Sequence, residues 1–275
     1  MCNGVHSFFT KGLLFRQKLL TNRVSYSLDR TIPRRFASLV SPNSPKTRNR
    51  LLAALPKEES EPFFANMETI ELDYKRKLYN SNQPIQYVYF PNNGVVSLTT
   101  TVEDGTTVEV ATVGNEGMVS LPVFLGTYQI PGQAFVQIPG NTFRMTTEVF
   151  KEKVTPDTTL YALLQRYTQA LFNQISQSAA CNSLHSIEQR CCRWLLMSHD
   201  RVDSDQFLLT QEFLAQMLGV RRASVNNVAT SLRNMGLIDY NRGYITVLDR
   251  AGLESTACEC YAHIRGEYER LLGGF

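Results

Sequence analysis

The stretch LGVRRASVNNVATSLRNMG, residues 218–236, constrains the fold of this chain more than any other segment. Four apolar residues follow the spacing i, i+3, i+4 and i+7, which is one face of a helix: Val225, Val228, Ala229 and Leu232. The opposite face is small, neutral and rich in amides, and the stretch contains no acidic residue. Solvated helices usually mix Glu and Lys on the outer face, so this composition predicts a partner that repels carboxylates.

A shorter helix is predicted immediately upstream, in LLTQEFLAQMLGV. Thr210 suits the N-cap, Glu212 lies in the first turn where an acid favours the helix dipole, and Gly219 ends the helix. Ala215 is small enough for two helices to meet there in a tight turn. These offsets predict a helix-turn-helix whose second helix enters the DNA major groove; the alternative is a helical hairpin that only packs.

A hairpin is predicted directly after the second helix. The segment GLIDYNRGYITVLDR alternates apolar and polar residues around Asn241, Arg242 and Gly243, and Gly243 is free to take a positive φ at the turn. A helix-turn-helix followed by a hairpin is a winged helix. Arg242 at the tip has two interpretations, a phosphate contact or an exposed arginine without a partner.

Residues 84–145 have a different character, with short β-type runs separated by turn signals. The runs are QYVYF, GVVSLTTTV, TTVEVATV and QAFVQI, and PNNG, EDG, GNEG and PG lie between or beside them. This pattern predicts an all-β sandwich or roll, with its clearest hairpin at Glu103, Asp104 and Gly105.

A long helical segment links the two regions. Four of its residues are spaced 4, 3 and 4 apart, a heptad seam suited to pairing with a second copy: Leu160, Leu164, Tyr167 and Leu171. We predict that this seam dimerises the protein; the alternative is that the helix folds against its own roll. A second series is more typical of packing against the winged helix: Leu184, Ile187, Cys191 and Trp194.

The formal net charge of +3 hides an uneven distribution. Residues 1–50 hold ten Lys and Arg against the single acid Asp29, whereas 18 basic and 24 acidic residues follow from position 51 onward. DNA affinity must therefore come from a local patch and not from bulk charge. No run of eighteen apolar residues occurs, which argues against a membrane protein.

The basic N-terminal segment has no convincing apolar period. It fails as a signal peptide, because Lys11, Arg16 and Lys18 interrupt and follow its apolar stretch. We interpret residues 1–48 as a disordered extension or a mis-called start, and an organellar transit peptide is the remaining alternative.

The cysteines and histidines form no metal motif in the sequence. No C-x-x-C pair occurs, and the four histidines are scattered without ligand spacing; the cysteines are Cys2, Cys181, Cys191, Cys192, Cys258 and Cys260. We therefore expect no metal, no cofactor and reduced thiols. Redox sensing by the adjacent cysteines at 191 and 192, or by those at 258 and 260, is the alternative to plain buried packing.

A roll, a dimerising helix and a winged helix, in that order, resemble the Crp/Fnr family of bacterial transcription regulators. YVYFPNNGVVSL and VEDGTTVEVATVGNEGMVSLPVFLG are similar to its sensor roll, and LTQEFLAQMLGVRRASVNNVATSLRNMGLIDYNRGYITVLDR to its DNA-binding domain. The resemblance implies an α+β fold with an antiparallel roll at 49–154, dimerisation and linker helices at 155–200 and a winged helix-turn-helix at 201–275.

The charged anchors of the cyclic-AMP-binding members are missing. The resemblance implies a Gly-Glu pair for the ribose just before a Leu-x-x-Phe run, but Val119 and Ser120 precede Leu121-Pro122-Val123-Phe124. The arginine that would bind the cyclic phosphate is replaced by Gly132. Glu116, Gly117 and Arg144 are nearby in the sequence, but none of them occupies a position where the pattern has an anchor residue. The iron–sulfur members use an N-terminal cysteine cluster, which Cys2 alone does not provide. We expect an effector other than cyclic AMP, or none.

The second helix also departs from the family pattern. Arg222 matches the first base-contacting arginine, Ala223 replaces the glutamate after it, and Asn227 replaces the second arginine. We expect Arg222 to pair with guanine, Asn226 or Asn227 with adenine, and Ala223 to meet a thymine methyl. Phosphate contacts are expected from Arg221 and Ser224, and the DNA-contacting set is completed by Thr210, Gln211 and Arg242.

The sequence therefore predicts a homodimeric, sequence-specific transcription regulator of the bacterial cytoplasm. Its partners are double-stranded DNA and a second copy of itself, with RNA polymerase as a further candidate and no membrane. No enzyme is expected, because no nucleophile–base pair, metal spacing or phosphate loop is visible. The competing class is a cyclic-nucleotide-binding-like signalling module that acts through protein contacts; salt-dependent binding to duplex DNA separates the two.

Overall fold

The computed structural model describes residues 47–273. The interpretation of residues 1–48 as an extension or a mis-called start falls almost entirely outside these described residues. Within them, the short β-type runs of the sequence form strands whose apolar side chains close a core between two sheets. Seven strands build this part: β1 (Glu68–Leu72), β2 (Lys77–Tyr79), β3 (Tyr87–Pro91), β4 (Val95–Thr101), β5 (Thr107–Val113), β6 (Gln133–Ile138) and β7 (Gly140–Thr146).

The two sheets are antiparallel throughout, with strand orders β1-β7-β3 and β2-β6-β4-β5. The predicted roll is therefore confirmed. The turn between β4 and β5 is the hairpin expected at Glu103–Gly105: the Asp104 carboxylate accepts a hydrogen bond from the Thr106 amide at 2.8 Å, and Gly105 has φ 84°.

In the described part of the chain, five helices accompany the roll. They are α1 (Arg50–Ala53), α2 (Lys57–Phe64), α3 (Leu121–Phe124), α4 (Thr147–Lys153) and the long α5 (Thr159–Leu184). The Thr158 hydroxyl caps α5 by accepting a hydrogen bond from the Tyr161 amide.

The predicted dimerisation seam lies on the inner face of α5. Each of its four side chains is 5% exposed or less within a single chain: Leu160, Leu164, Tyr167 and Leu171. The Tyr167 hydroxyl reaches into the roll and donates a hydrogen bond to the Met118 carbonyl at 3.1 Å. The assignment of this seam to a second copy was wrong, because the roll and the C-terminal helix of the same chain already cover it.

The C-terminal part forms a helix-turn-helix with a small three-stranded sheet of order β8-β10-β9. Its elements are α6 (Ile187–His199), β8 (Gln206–Leu208), α7 (Gln211–Leu218), α8 (Arg222–Asn234), β9 (Ile238–Asn241), β10 (Tyr244–Val247), α9 (Arg250–Thr256) and α10 (Cys260–Leu272). Helix α6 packs against α8 and α9. Helix α10 returns to pack along α5, where the Tyr268 hydroxyl donates a hydrogen bond to Gln174 Oε1 at 2.9 Å.

A buried ion pair joins the end of α6 to the roll. The Arg201 guanidinium donates to both carboxylate oxygens of Glu116, at 2.8 and 3.0 Å, and to the Thr112 hydroxyl at 2.7 Å. Burial is the largest single effect and would lower the pKa of Arg201, but the charge and hydrogen bonds of Glu116, with Tyr268 and Asp200, together outweigh burial and raise that pKa. Gly114 makes room for the contact, since a Cβ there would lie 2.4 Å from the Arg201 side chain.

Within residues 47–273, no helix has the length and apolar character needed to cross a bilayer.

Glu109 on β5 is a second link between the roll and the C-terminal part. Its carboxylate accepts hydrogen bonds from the Ser97 hydroxyl at 2.7 Å and from the Trp194 indole at 2.9 Å. Burial raises the pKa of Glu109 to about 7, and the two hydrogen bonds and nearby arginines only partly oppose this effect.

We expect Glu109→Gln to stabilise the chain at pH 8 by about 1–3 kcal/mol and to have little effect at pH 5. The folded chain keeps the Glu109 proton up to about pH 7, whereas an unfolded chain releases it near 4.5. Wild-type stability therefore falls as pH rises between these values. Urea unfolding at both pH values measures the difference, with the exposed Glu103→Gln as control. An equal effect of Glu109→Gln at both pH values would contradict the assignment.

Candidate nucleic-acid interface

Helix α7 has the caps expected from its sequence. The Thr210 side chain accepts a hydrogen bond from the Phe213 amide, and Gly219 ends the helix in the left-handed region at φ 64°. The Val220 amide donates to the Ala215 carbonyl at 2.9 Å, which closes the turn toward α8. The predicted helix-turn-helix is confirmed.

Helix α8 separates an apolar face from a polar one, as its spacing predicts. Val225, Ala229 and Leu232 are buried, and Val228 is partly buried. The exposed positions carry no acidic side chain: Arg222, Ala223, Asn226, Asn227, Thr230, Arg233 and Asn234. Arg233 is paired with Asp239 at 3.2 Å near the C-terminal end of the helix.

The N-terminal end of α8 concentrates positive charge. Arg221 occupies the N-cap and Arg222 the first helical position; both are exposed, and neither has an ion-pair partner among the described residues. No side chain caps the helix there, so first-turn amides remain available to an anion. The helix dipole adds to this attraction for phosphate.

The two asparagines of α8 differ in their surroundings. Asn226 Oδ1 accepts a hydrogen bond from Gln211 Nε2 at 3.2 Å, whereas the Asn227 side chain makes no hydrogen bond within residues 47–273. The backbone N–H of Gln211 donates a second hydrogen bond, to the Tyr240 hydroxyl at 3.0 Å. Tyr240 thus ties the wing to the start of α7, a role that strand alternation alone does not reveal.

The wing turn is tighter than the sequence suggests. Asn241 and Tyr244 pair across it, so Arg242 and Gly243 form a two-residue loop. Both have positive φ, 49° and 85°, as in a type I′ turn, which confirms the expectation for Gly243 and adds Arg242. Arg242 is exposed and forms no ion pair with any described residue.

The structure brings most of the predicted DNA-contacting residues onto adjoining elements. Gln211 touches Asn226, and the Thr210 methyl lies near the wing turn, 3.6 Å from where a Cβ on Gly243 would stand. Ser224 is only half-exposed. Tyr244 next to the wing tip is 46% exposed, and it is not among the predicted site residues. Its position directly after the turn residues Arg242 and Gly243 is the one sequence feature that points to it.

The roll positions that would bind cyclic AMP by resemblance are used inside the fold. Val119 and Ser120 are buried, and the Ser120 hydroxyl donates to the Tyr87 carbonyl at 2.8 Å. Arg144 is paired with Glu68 at 2.6 Å and stacks over the Tyr87 ring.

The region facing α5 is also filled. A Cβ on Gly117 would lie 2.3 Å from the Tyr167 ring, so the tyrosine occupies the space directly against this backbone. The nearby Glu116 carboxylate is fully engaged by Arg201.

Comparison with known proteins places this geometry in context. Residues 189–256 match the family model of the Crp-like helix-turn-helix domain. FixK2 from Bradyrhizobium japonicum shares the fold with 14% identity and a TM-score of 0.57, over 70% of this chain and 98% of that one. TTHB099, a transcriptional regulator of the CRP family from Thermus thermophilus, aligns with 18% identity and a TM-score of 0.57, over 68% and 96%.

A third solved structure has a similar fold. TTHA1359, a transcriptional regulator of the CRP/FNR family from the same organism, is 20% identical with a TM-score of 0.50, over 69% of this chain and 98% of that one. No curated protein matches the chain.

Proposed function

We propose that this chain is a Crp/Fnr-type transcription regulator, which its helix-turn-helix match and its fold support, and that it binds DNA sequence-specifically as a homodimer on an imperfect palindrome. The observation that carries the proposal is the acid-free outer face of α8, which begins with two exposed arginines that have no ion-pair partner among the described residues. In this docking geometry the second helix lies in the major groove, and half-sites are about one helical turn, roughly 34 Å, apart.

The surroundings of each side chain suggest its role in DNA recognition. Arg222 is free to pair bidentately with guanine, and Ala223 beside it suits a thymine methyl. We assign the adenine contact to Asn227 in preference to Asn226, because a bidentate contact needs an amide oxygen that Gln211 does not already occupy. Arg221, Ser224, Thr210, Gln211 and the wing residue Arg242 are proposed to hold phosphates.

We expect Arg222→Ala to lose about 1–3 kcal/mol of binding to the selected site and to relax base preference at one position of each half-site. Arg242→Ala should weaken binding to all sequences alike and reduce its salt dependence. Selection from random duplexes, followed by fluorescence anisotropy at several salt concentrations, measures both effects.

The control is Arg270→Ala, which removes an exposed arginine from α10 and should leave DNA binding unchanged. Identical sequence profiles for the Arg222 and Arg242 variants would refute the division between base contact and phosphate contact. Binding to duplex DNA that does not weaken as the salt concentration rises would favour the competing signalling module.

The homodimer is proposed to form through the outer face of α5, since the inner face is covered. The exposed residues of this face are spaced 4, 3, 4, 3 and 4 apart, the repeat of a coiled-coil seam: Gln165, Gln169, Phe172, Ser176, Ala179 and Ser183. Phe172 is 63% exposed, and Ile175 and Leu184 on the same helix are also exposed large apolar side chains.

We expect Phe172→Glu to raise the dimer dissociation constant at least about 100-fold. A two-fold interface contains this residue from both copies, so the substitution replaces two apolar side chains with two like charges. Each chain should stay folded, since Phe172 is not part of its core. Sedimentation velocity measures the dimer, and Leu125→Glu, at a residue 59% exposed beside the roll, is the matched control. An unchanged dimer in the Phe172 variant would contradict this surface.

The effector is proposed to be something other than cyclic AMP. A buried cyclic phosphate keeps its negative charge, which costs several kcal/mol unless a partner compensates it. Gly132 offers no such partner, and Arg144 is already held by Glu68. A ribose would likewise find Ser120 engaged with the Tyr87 carbonyl and no carboxylate in its place.

Calorimetric titration with cyclic AMP and cyclic GMP should therefore show no binding at micromolar concentration. Loss of two charged anchors weakens affinity by several decades, at about 1.4 kcal/mol per decade. Micromolar binding that also tightens DNA affinity would overturn this assignment and would require Arg144 to leave Glu68.

A further inference from the structure

Three cysteines and one histidine from two distant segments meet at the elbow between α5 and α6. Cys181 lies in the last turn of α5 and His185 is its C-cap residue, while Cys258 lies two residues before α10 and Cys260 is the first residue of that helix. Their side chains gather at one point, although 77 positions separate Cys181 from Cys258. The sequence expectation of scattered cysteines and histidines without ligand geometry is therefore wrong for these four residues.

The four donor atoms have the spacing that one metal ion requires. The Sγ atoms of Cys181 and Cys258 are 3.5 Å apart, and Cys260 Sγ lies 3.5 Å from His185 Nδ1. All four donors lie within 4.8 Å of one another. Tetrahedral Zn–S and Zn–N bonds of about 2.3 and 2.0 Å place neighbouring donors roughly 3.5–3.8 Å apart.

Packing alone does not explain this arrangement. The sulfurs of Cys181, Cys258 and Cys260 are buried and form a cluster separate from the main core. Small apolar residues would fill such a space equally well, but an imidazole nitrogen directed at thiol sulfur adds a polar contact that packing does not need.

The surroundings resemble those of a metal ligand shell. The other nitrogen of His185, Nε2, faces the Glu259 carboxylate at 3.3 Å, an arrangement that orients a ligating histidine. Gln177 Nε2 donates to Cys260 Sγ at 3.1 Å.

We propose that Cys181, His185, Cys258 and Cys260 bind a single ion of the Zn²⁺ class. Three thiolates and one imidazole are the donor set of closed structural zinc sites. An iron–sulfur cluster fits less well, because its cysteines surround several irons and do not converge on one point. The bound ion would fasten the start of α10 to the elbow from which α6 and the DNA-binding elements follow.

The test is metal content of the full-length chain, purified reduced and without chelator. We expect about one equivalent of zinc by plasma mass spectrometry, and Co²⁺ replacement should give the thiolate charge-transfer and tetrahedral d–d absorption bands. Cys181→Ser and Cys258→Ser should lose the metal. Cys191→Ser, which removes a buried thiol of α6 outside the cluster, should retain it.

A second variant separates metal binding from folding. Glu259→Gln keeps all four ligands and should weaken zinc affinity roughly 10- to 100-fold in competition with a chelator, without loss of helical circular dichroism. Wild-type chain stripped by the chelator should take up one equivalent again.

Three results would overturn the proposal. They are a reduced wild-type chain that takes up no zinc, a Cys258→Ser variant that keeps the full equivalent, and a Cys181–Cys258 disulfide as the form isolated under reducing conditions.

Discussion

The ion pair between Arg201 and Glu116 is the contact on which the two halves of the chain depend. Both side chains are almost fully buried, at 6% and 1% exposure, so each has lost its hydration. Such a pair is tolerated only when further hydrogen bonds satisfy both groups, and Arg201 meets this condition with Thr112 and the Met197 carbonyl. Removing either partner would leave a buried, uncompensated charge, a change that typically costs about 3–5 kcal/mol.

The same pair has a consequence for the roll. Polar groups that a small ligand would need are engaged in contacts inside the chain: Glu116 with Arg201, Ser120 with the Tyr87 carbonyl, and Arg144 with Glu68. Tyr167 from α5 fills the space against Gly117. The polar groups of the roll are therefore committed to contacts that hold its sheets and the neighbouring helices together.

Local periodicity predicted the elements that we propose to contact DNA, and it did so for a physical reason. The caps of α7, the apolar stripe of α8 and the turn at Gly243 are each decided by residues a few positions apart. The heptad spacing of α5 led to a wrong prediction of the dimer surface. Leu164 and Tyr167 do lie on a buried face, but spacing does not say whether a second copy or the same chain covers that face.

The cysteine–histidine cluster was missed for a related reason. Ligand motifs are recognised in sequence when their members share one turn or one helix, whereas Cys181 and Cys258 are 77 positions apart with the whole winged helix between them. The short strand β8 and the docking of α10 on α5 likewise depend on partners far away in the chain.

The return of α10 to α5 also sets an order of events during synthesis. Gln174 is buried with its side-chain oxygen bonded to the Tyr268 hydroxyl, 94 positions later. At roughly 5–20 residues per second, the ribosome needs about 5–20 s to supply that partner after α5 has emerged. Until then the polar groups of α5 that α10 will cover face water. The N-terminal half of the protein therefore gains its last packing contacts only after the C-terminal helix has been made.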